Sequence, residues 1–460
     1  MEKITFVHLS ALMLVSAWCF GGNIWWIRPV LSVWANLGLF ITLAALRQPG
    51  AHGRENRRRV WWLLPWLLFI LLVVVSAFNP SFRPLTVEGD TVLLRTGAEN
   101  PLWPSSMNPS KSLHELWFYA SVYLAAFNLL LIPRSRRFLR LLIMTGALSC
   151  LLLAIFGTLQ KLVEADLYFG LSQSPNPRFF STFIYNNHWG AFMILWLCAT
   201  AGIIFNDASS RSRDLWHSPF TLAVVGLLLI AASAPVSASR AATGLAVVVL
   251  ITVLSHGLVR ICITRRAAHR SIAPPILMMA FLALSGTAAI GWLAQRSIDA
   301  RYQETLQTLA RNQSLFGVRA QLYSDTWELA KQKPAFGWGL ESFASAHELI
   351  QPRKFLINRN EMGYVEAHCD WLQSLAETGF AGTILAMAMG LIPLFAFRRN
   401  IFGSPLSQYP LFGCALVALY AWFEFPFANG AVLISFWILF FSAMRYARLQ
   451  SQTSSTTSHS

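Results

Sequence analysis

Hydrophobic residues run through this chain in blocks of about 20, separated by short polar stretches rich in Arg, Pro and Asn. A helix of about that length crosses a bilayer core. The blocks predict about twelve spans, near 4–20, 25–46, 60–78, 113–132, 141–159, 187–205, 218–235, 241–259, 272–293, 378–397, 409–426 and 428–444. The first reads as a retained anchor, since no small-x-small cleavage site follows it and a second span comes at once. The expected fold is therefore all-α, a polytopic integral membrane helix bundle with one large extramembrane segment at 294–376, read as a helical cap. That divides the chain into spans one to nine (1–293), the cap (294–376), spans ten to twelve (377–446) and a Ser/Thr-rich, disordered tail (447–460).

Within the cap, Gly317 to Lys333 predicts an amphipathic helix with Arg319, Leu322, Tyr323, Thr326, Trp327 and Ala330 on one face. Pro334 ends it, and Ala335-Phe-Gly-Trp-Gly-Leu-Glu-Ser-Phe343 follows as a Gly-rich turn. Read as a helix, Glu366 to Gly382 places His368 on one face with Trp371, Leu372 and Leu375. The segments 79–112 and about 160–186 read as loops, with Asn79-Pro80 and Asn100-Pro101 as turns. Arg28, following Trp25 and Trp26, reads as a residue snorkelling to the membrane boundary.

Charge orients the bundle. With the N-terminus inside, 20 of the 36 Lys/Arg and only four of the 21 Asp/Glu fall in cytoplasmic segments. This is the positive-inside pattern, so the net charge of +15 is a topology signal. The basic residues are scattered over many short loops, which argues against a nucleic-acid partner. The six cysteines suggest no disulfide framework, and no metal-binding motif is present. The expectation is a chemistry without metal or cofactor.

Several polar groups fall where a membrane protein would avoid them. Arg240, in Ser237-Ala-Ser-Arg-Ala-Ala-Thr-Gly244, stands at the outer boundary between two spans. A charge there either snorkels or serves a site. Arg319 lies on the apolar side of its helix, as a salt-bridge partner or an anion ligand. His368 is either a half-buried cap of a membrane helix or an acid–base group. Arg178, Asn186, Asn187 and His188 approach a span among five aromatics, which suits either sugar rings or an aromatic belt with helix caps.

His368 with Gly379 and Gly382 resembles the His-x10-Gly-x-x-Gly signature of the O-antigen ligase and polymerase family. Cys369 departs from it, since family ligases usually carry Asn, Ser or Gln after the histidine. Arg178-Phe-Phe-Ser-Thr-Phe-Ile-Tyr-Asn-Asn187, Ser237-Ala-Ser-Arg240 and the turn with Gly337 and Gly339 are also similar to family elements. The resemblance implies a glycosyltransferase of the bacterial cytoplasmic membrane with its site on the extracytoplasmic face. It would move a glycan from a polyprenyl diphosphate donor to a hydroxyl of a glycan, lipid A core or protein acceptor. It implies His368 as general base, Arg240 and Arg319 on the diphosphate, and Arg178, Asn186, Asn187, Gly337 and Gly339 as substrate-binding. Glu366 and Asp370 are then the candidates to orient His368, although Asp370, two positions on, falls off that helix face; Glu377 supports structure. The rival is a polysaccharide transporter or lipid-linked glycan flippase. Transporters usually show repeats and midplane polar groups; here the polar groups gather at one face.

Overall fold

The computed structural model describes residues 1–207, 219–274, 317–350 and 364–457, except 88, 89, 98, 101, 166, 170 and 171, with scattered positions between 276 and 306. The apolar blocks become helices: α1 (Glu2–Trp18), α2 (Ile27–Asn36), α3 (Gly38–Leu46), α4 (Gly50–Arg59), α5 (Leu64–Phe78), α6 (Pro109–Leu131), α7 (Arg136–Leu162), α8 (Asn186–Asp207), α9 (Pro219–Val236) and α10 (Arg240–Ala267). The second half adds α11 (Gly317–Gln332), α12 (Phe343–His347), α13 (Asp370–Phe397), α14 (Pro405–Tyr420) and α15 (Gly430–Thr457). Polar residues between blocks start several of them. Asn108, Ser135, Ser239 and Ser404 each accept a backbone N–H in the first turn of α6, α7, α10 and α14.

Among the described residues, seven helices are long and apolar enough to cross a membrane: α2–α3, α4–α5, α7, α8, α10, α13 and α15. Helices of that number, length and composition are those of a multi-pass membrane protein. Helices α1, α6, α9 and α14 coincide in position with four more of the expected spans. The remaining one, 272–293, is described at only half of its positions. At the C-terminus α15 continues to Thr457, past the limit expected at 446.

Helix α8 is the axis of the bundle. Its span is wholly buried, with Trp189 and Trp196 fully enclosed among α7, α9, α10 and α14. Helices α10 and α13 differ, since only a minor share of either is covered by the described residues. The fold is mostly helical, but the connection between α5 and α6 is not structureless. Phe82–Val87 (β1) and Asp90–Arg95 (β2) pair antiparallel, Phe82 opposite Arg95. Their Val, Thr and Leu content suits a strand better than a loop. A smaller pair, Leu167–Tyr168 (β3) and Ser172–Gln173 (β4), lies in the next loop.

The two ends of the bundle carry different chemistry. One collects the arginine-rich segments. There the Arg134 N–H donates to Glu2, Arg448 pairs with Glu55 at 3.5 Å, and Arg445 Nε donates to the Pro133 carbonyl at 2.7 Å. At the other end Arg28 does not snorkel. It pairs with Glu115 of α6, donates to the Ala428 carbonyl and to Asn23, and lies over the Phe118 ring. A guanidinium surrounded by α2, α6 and the Pro426–Ala428 turn keeps little contact with water, 14% of its side chain being exposed, so its charge is met largely by protein.

Above that end, α11 packs its Leu322, Thr326, Leu329 and Ala330 on Trp338, Phe343, Phe82 and Met107. The buried face is rotated slightly from the expected one, leaving Trp327 half exposed and burying Leu329 instead. The Gly-rich turn then crosses α13 where that helix kinks. Gly337 and Gly379 both have positive φ, +69° and +64°. The N–H groups of Trp338 and Gly339 donate to the carbonyls of Ala376 and Glu377 at 3.0 and 2.8 Å. Those of Phe380 and Ala381 donate back to Pro334 and Ala335 at 2.8 and 3.1 Å. A Cβ on Gly379 would strike the Ala335 carbonyl, and one on Gly337 the Glu377 carbonyl. Only glycine permits both the torsion and the approach.

Gly379→Ala should therefore lower the thermal unfolding midpoint of the solubilised protein, at a cost of roughly 1–3 kcal/mol. Gly390→Ala is the control, since its Cβ would meet only Phe440 at 3.8 Å and Trp437 at 4.0 Å. Its midpoint should hold or rise.

Candidate functional site

His368 sits just before α13, not on it. Helix α13 begins at Asp370, Cys369 is extended, and His368 has a left-handed backbone with φ +53°. That conformation is costly for a residue with a Cβ and persists only where the surroundings impose it. Three bonds do so. Tyr323 Oη of α11 donates to the His368 carbonyl at 3.0 Å. The Asp370 N–H donates to the Ala421 carbonyl at 2.9 Å, and its carboxylate accepts the Phe427 N–H at 3.0 Å. The expected helical face of 366–382 is thus replaced by a turn that swings the imidazole away from the α13 axis.

The ring is aimed at Glu424, Nδ1 to Oε2 at 3.3 Å, with the edge of Phe425 against it. Glu424, between α14 and α15, is buried at 3% exposure. Its carboxylate also receives Arg319 of α11 and Asn187 Nδ2 at 2.7 Å from the first turn of α8. Arg319 donates again to the Phe423 carbonyl at 3.1 Å. Burial opposes the Arg319 charge, but the adjacent carboxylate more than offsets it and raises its pKa. Tyr185 completes the ring of donors at 3.4 Å, and burial together with the Glu424 charge pushes its phenol well above the ordinary range.

Asn187 links this cluster to α10. Its Oδ1 accepts Ser239 Oγ at 2.6 Å, and Ser239 caps α10 through the Ala242 N–H. Arg240, the next residue, is exposed on the first turn of α10. The N-termini of α8 and α10 therefore meet beside Arg240, Arg319 and His368. Helix N-termini carry unpaired N–H groups and partial positive charge, which favours an anion.

Of the residues expected at the site, Asn187, Arg319 and His368 meet on one carboxylate, with Arg240 one residue from the chain of bonds. The salt-bridge alternative for Arg319 is realised, and it joins Arg319 to His368. Asn186 instead donates to the Ser237 carbonyl at 2.8 Å and braces the turn between α9 and α10. Arg178 is exposed on the loop ahead of α8, its N–H on Asn176. Gly337 and Gly339 contact Glu377, Thr378 and Ser106.

Glu366 and Asp370 do not contact the His368 ring, since Glu366 accepts from Gln373 at 2.7 Å and Asp370 from Phe427. Glu377 accepts the N–H groups of Glu341 and Phe343 and supports the Gly-rich turn, as expected. Glu424 itself is absent from the sequence reading. A lone acid in Trp422-Phe-Glu-Phe-Pro426, at the mouth of an apolar block, was the signal available.

No curated protein matches the chain. Residues 225–387 match the family model described as O-antigen ligase, and this places the segment from within α9 to within α13, which holds Arg240, Arg319 and His368, in the O-antigen ligase/polymerase family.

Proposed function

We propose that this protein transfers a glycan from a polyprenyl diphosphate to an acceptor hydroxyl on the extracytoplasmic face of the bacterial cytoplasmic membrane. The observation that carries the reading is the single Glu424 carboxylate shared by Arg319 and His368. With Nδ1 on Glu424, the other ring nitrogen is left for the acceptor hydroxyl. It takes the proton as the oxygen attacks the anomeric carbon. Glu424 favours the imidazolium that forms and fixes the ring. Arg319 and Arg240, beside the N-termini of α8 and α10, hold the diphosphate and stabilise the charge growing as it leaves. Attack opposite the leaving group inverts the anomeric centre. Ligase and polymerase share this machinery and differ in the acceptor. The grouping of polar residues at one end, away from the bundle's middle, disfavours the transporter or flippase reading.

His368→Ala should insert normally yet lose transfer by on the order of 10²–10⁴-fold. Wild-type transfer from a lipid-diphosphate donor by purified His368→Ala would sink the base assignment. Glu424→Gln removes the charge that Arg319 and His368 share; loss of even one charge-assisted bond costs about 1.5–3 kcal/mol, so kcat should fall by at least roughly 10- to 100-fold. A lowered melting midpoint without a fall in kcat would make Glu424 merely structural.

Arg240→Lys and Arg319→Lys keep charge but lose the planar fork, and each should be much less active, with or without chelator. Full activity of both, or activity abolished by chelator, would remove the two-arginine account of the leaving group.

Orientation is checked in a background lacking the native cysteines. Lys111→Cys, exposed near the site end, should react with a membrane-impermeant thiol reagent in intact inner-membrane spheroplasts. Arg399→Cys, exposed at the opposite end, should react only after lysis. The reverse pattern would place the site in the cytoplasm and end the reading.

A further inference from the structure

The turn that carries His368 is one leaf of a thin wall. Along it, His368 faces Glu424, while Glu366 and Asp370 line a cavity of about 270 Å3 on the other side. The second leaf does the same, with Glu424 and Phe425 toward His368 and Phe427 and Ala428 toward the cavity. The bond from the Phe427 N–H to Asp370 joins the leaves. The cavity thus abuts the candidate base without sharing its arginines.

Its two ends differ. The end at the wall is lined by Glu341, Glu366, Asp370 and Glu377, with Gln373 among them, and among the described residues no Lys or Arg lines it. The nearby Arg28 is occupied by Glu115. Burial, and then the neighbouring carboxyl of Glu341, raises Glu366 to about 8; burial also raises Glu341. In such a cluster the protonated carboxyls donate to hydroxyls, while those still ionised accept from them and repel phosphate. The far end, between α13 and α15, is formed by Met387, Gly390, Phe436, Trp437 and Phe440. Met387 is 44% exposed on the flank of α13, so a chain can enter sideways from the bilayer. The volume lies just under the range of drug-sized pockets and admits one chain with part of a headgroup.

We propose that this chamber seats the acceptor, a lipid with an apolar chain between α13 and α15 and a phosphate-free, hydroxyl-bearing sugar at the carboxyl end. The assignment as acceptor rests on the glycan-transfer reading; occupancy of the chamber does not. The separation follows from charge. An anionic diphosphate is drawn to the Arg319 side of the wall and kept out of the carboxyl side. The donor would then lie on the Glu424 side, and the acceptor would reach His368 by the part of its headgroup that extends beyond the chamber.

The test uses the full chain in phosphatidylcholine nanodiscs and two photoreactive probes with the same diazirine-bearing alkyl chain. One probe ends in a β-glucoside and the other in a phosphate. The glucoside should cross-link within 386–390 and 433–440, about tenfold more than the phosphate, the margin of one charge-assisted bond. Gly390→Leu fills the chamber and should lose that labelling, Gly390→Ala should keep it, and His368→Ala should label as wild type. Equal labelling by the phosphate probe would show only bulk lipid there and overturn the proposal, as would undiminished labelling of Gly390→Leu. Should Gly390→Leu fail to insert, the double variant Glu341→Gln and Glu366→Gln adds no bulk and should narrow the preference for the glucoside. An unchanged preference counts against the proposal. In transfer assays Gly390→Leu should raise the acceptor KM and leave the donor KM alone; the opposite split would assign the chamber to the donor chain. Failure of the transfer reading would show as activity in His368→Ala with labelling intact, so the two failures are separable.

Discussion

A carboxylate buried at the mouth of a membrane bundle must be met by protein donors or lose its charge. Glu424 is met by Arg319, Asn187, Tyr185 and His368, which come from α11, the first turn of α8, the loop ahead of it and the turn before α13. No two of these are close in sequence except Tyr185 and Asn187. The demand of one charge for partners therefore assembles the site, and the site's position in turn constrains where α11 and α13 can lie. Removing the carboxylate would leave a guanidinium facing an imidazole with nothing between them.

Rigid supports surround that carboxylate. Arg28, itself held by Glu115, donates to Ala428 and fixes the turn just beyond Glu424. Tyr323 and Asp370 fix the backbone on both sides of His368. Deeper along α13, Gly337 and Gly379 interlock the cap with the kinked helix through four backbone bonds. Strain at His368 is thus sustained by bonds on three different elements, which suits the proposed role of a base held in one orientation. The same wall separates a cationic face from a carboxyl-lined one, so two ligands of different charge can be sorted by electrostatics before either reaches the imidazole.

The sequence by itself determined the helices, because apolar length and composition decide which segments leave water. It also determined the division into an arginine-rich end and an end that gathers the candidate site residues, and the candidacy of Arg240, Arg319, Asn187 and His368, since such groups are costly at a membrane boundary. Only the tertiary structure decided how they act together. The turn at His368 overrides a helical pattern because contacts from α11 and from the chain beyond α14 stabilise a torsion that local propensity disfavours. Glu424 gained its role from neighbours more than 50 residues away, which periodicity cannot register. Arg28 looked interfacial because its partners, Glu115 and the Ala428 carbonyl, are 87 and 400 residues distant. Local patterns fix what a residue prefers; pairing across the bundle fixes which preferences are met, because a buried charge is stabilised by its partners and not by its place in the chain.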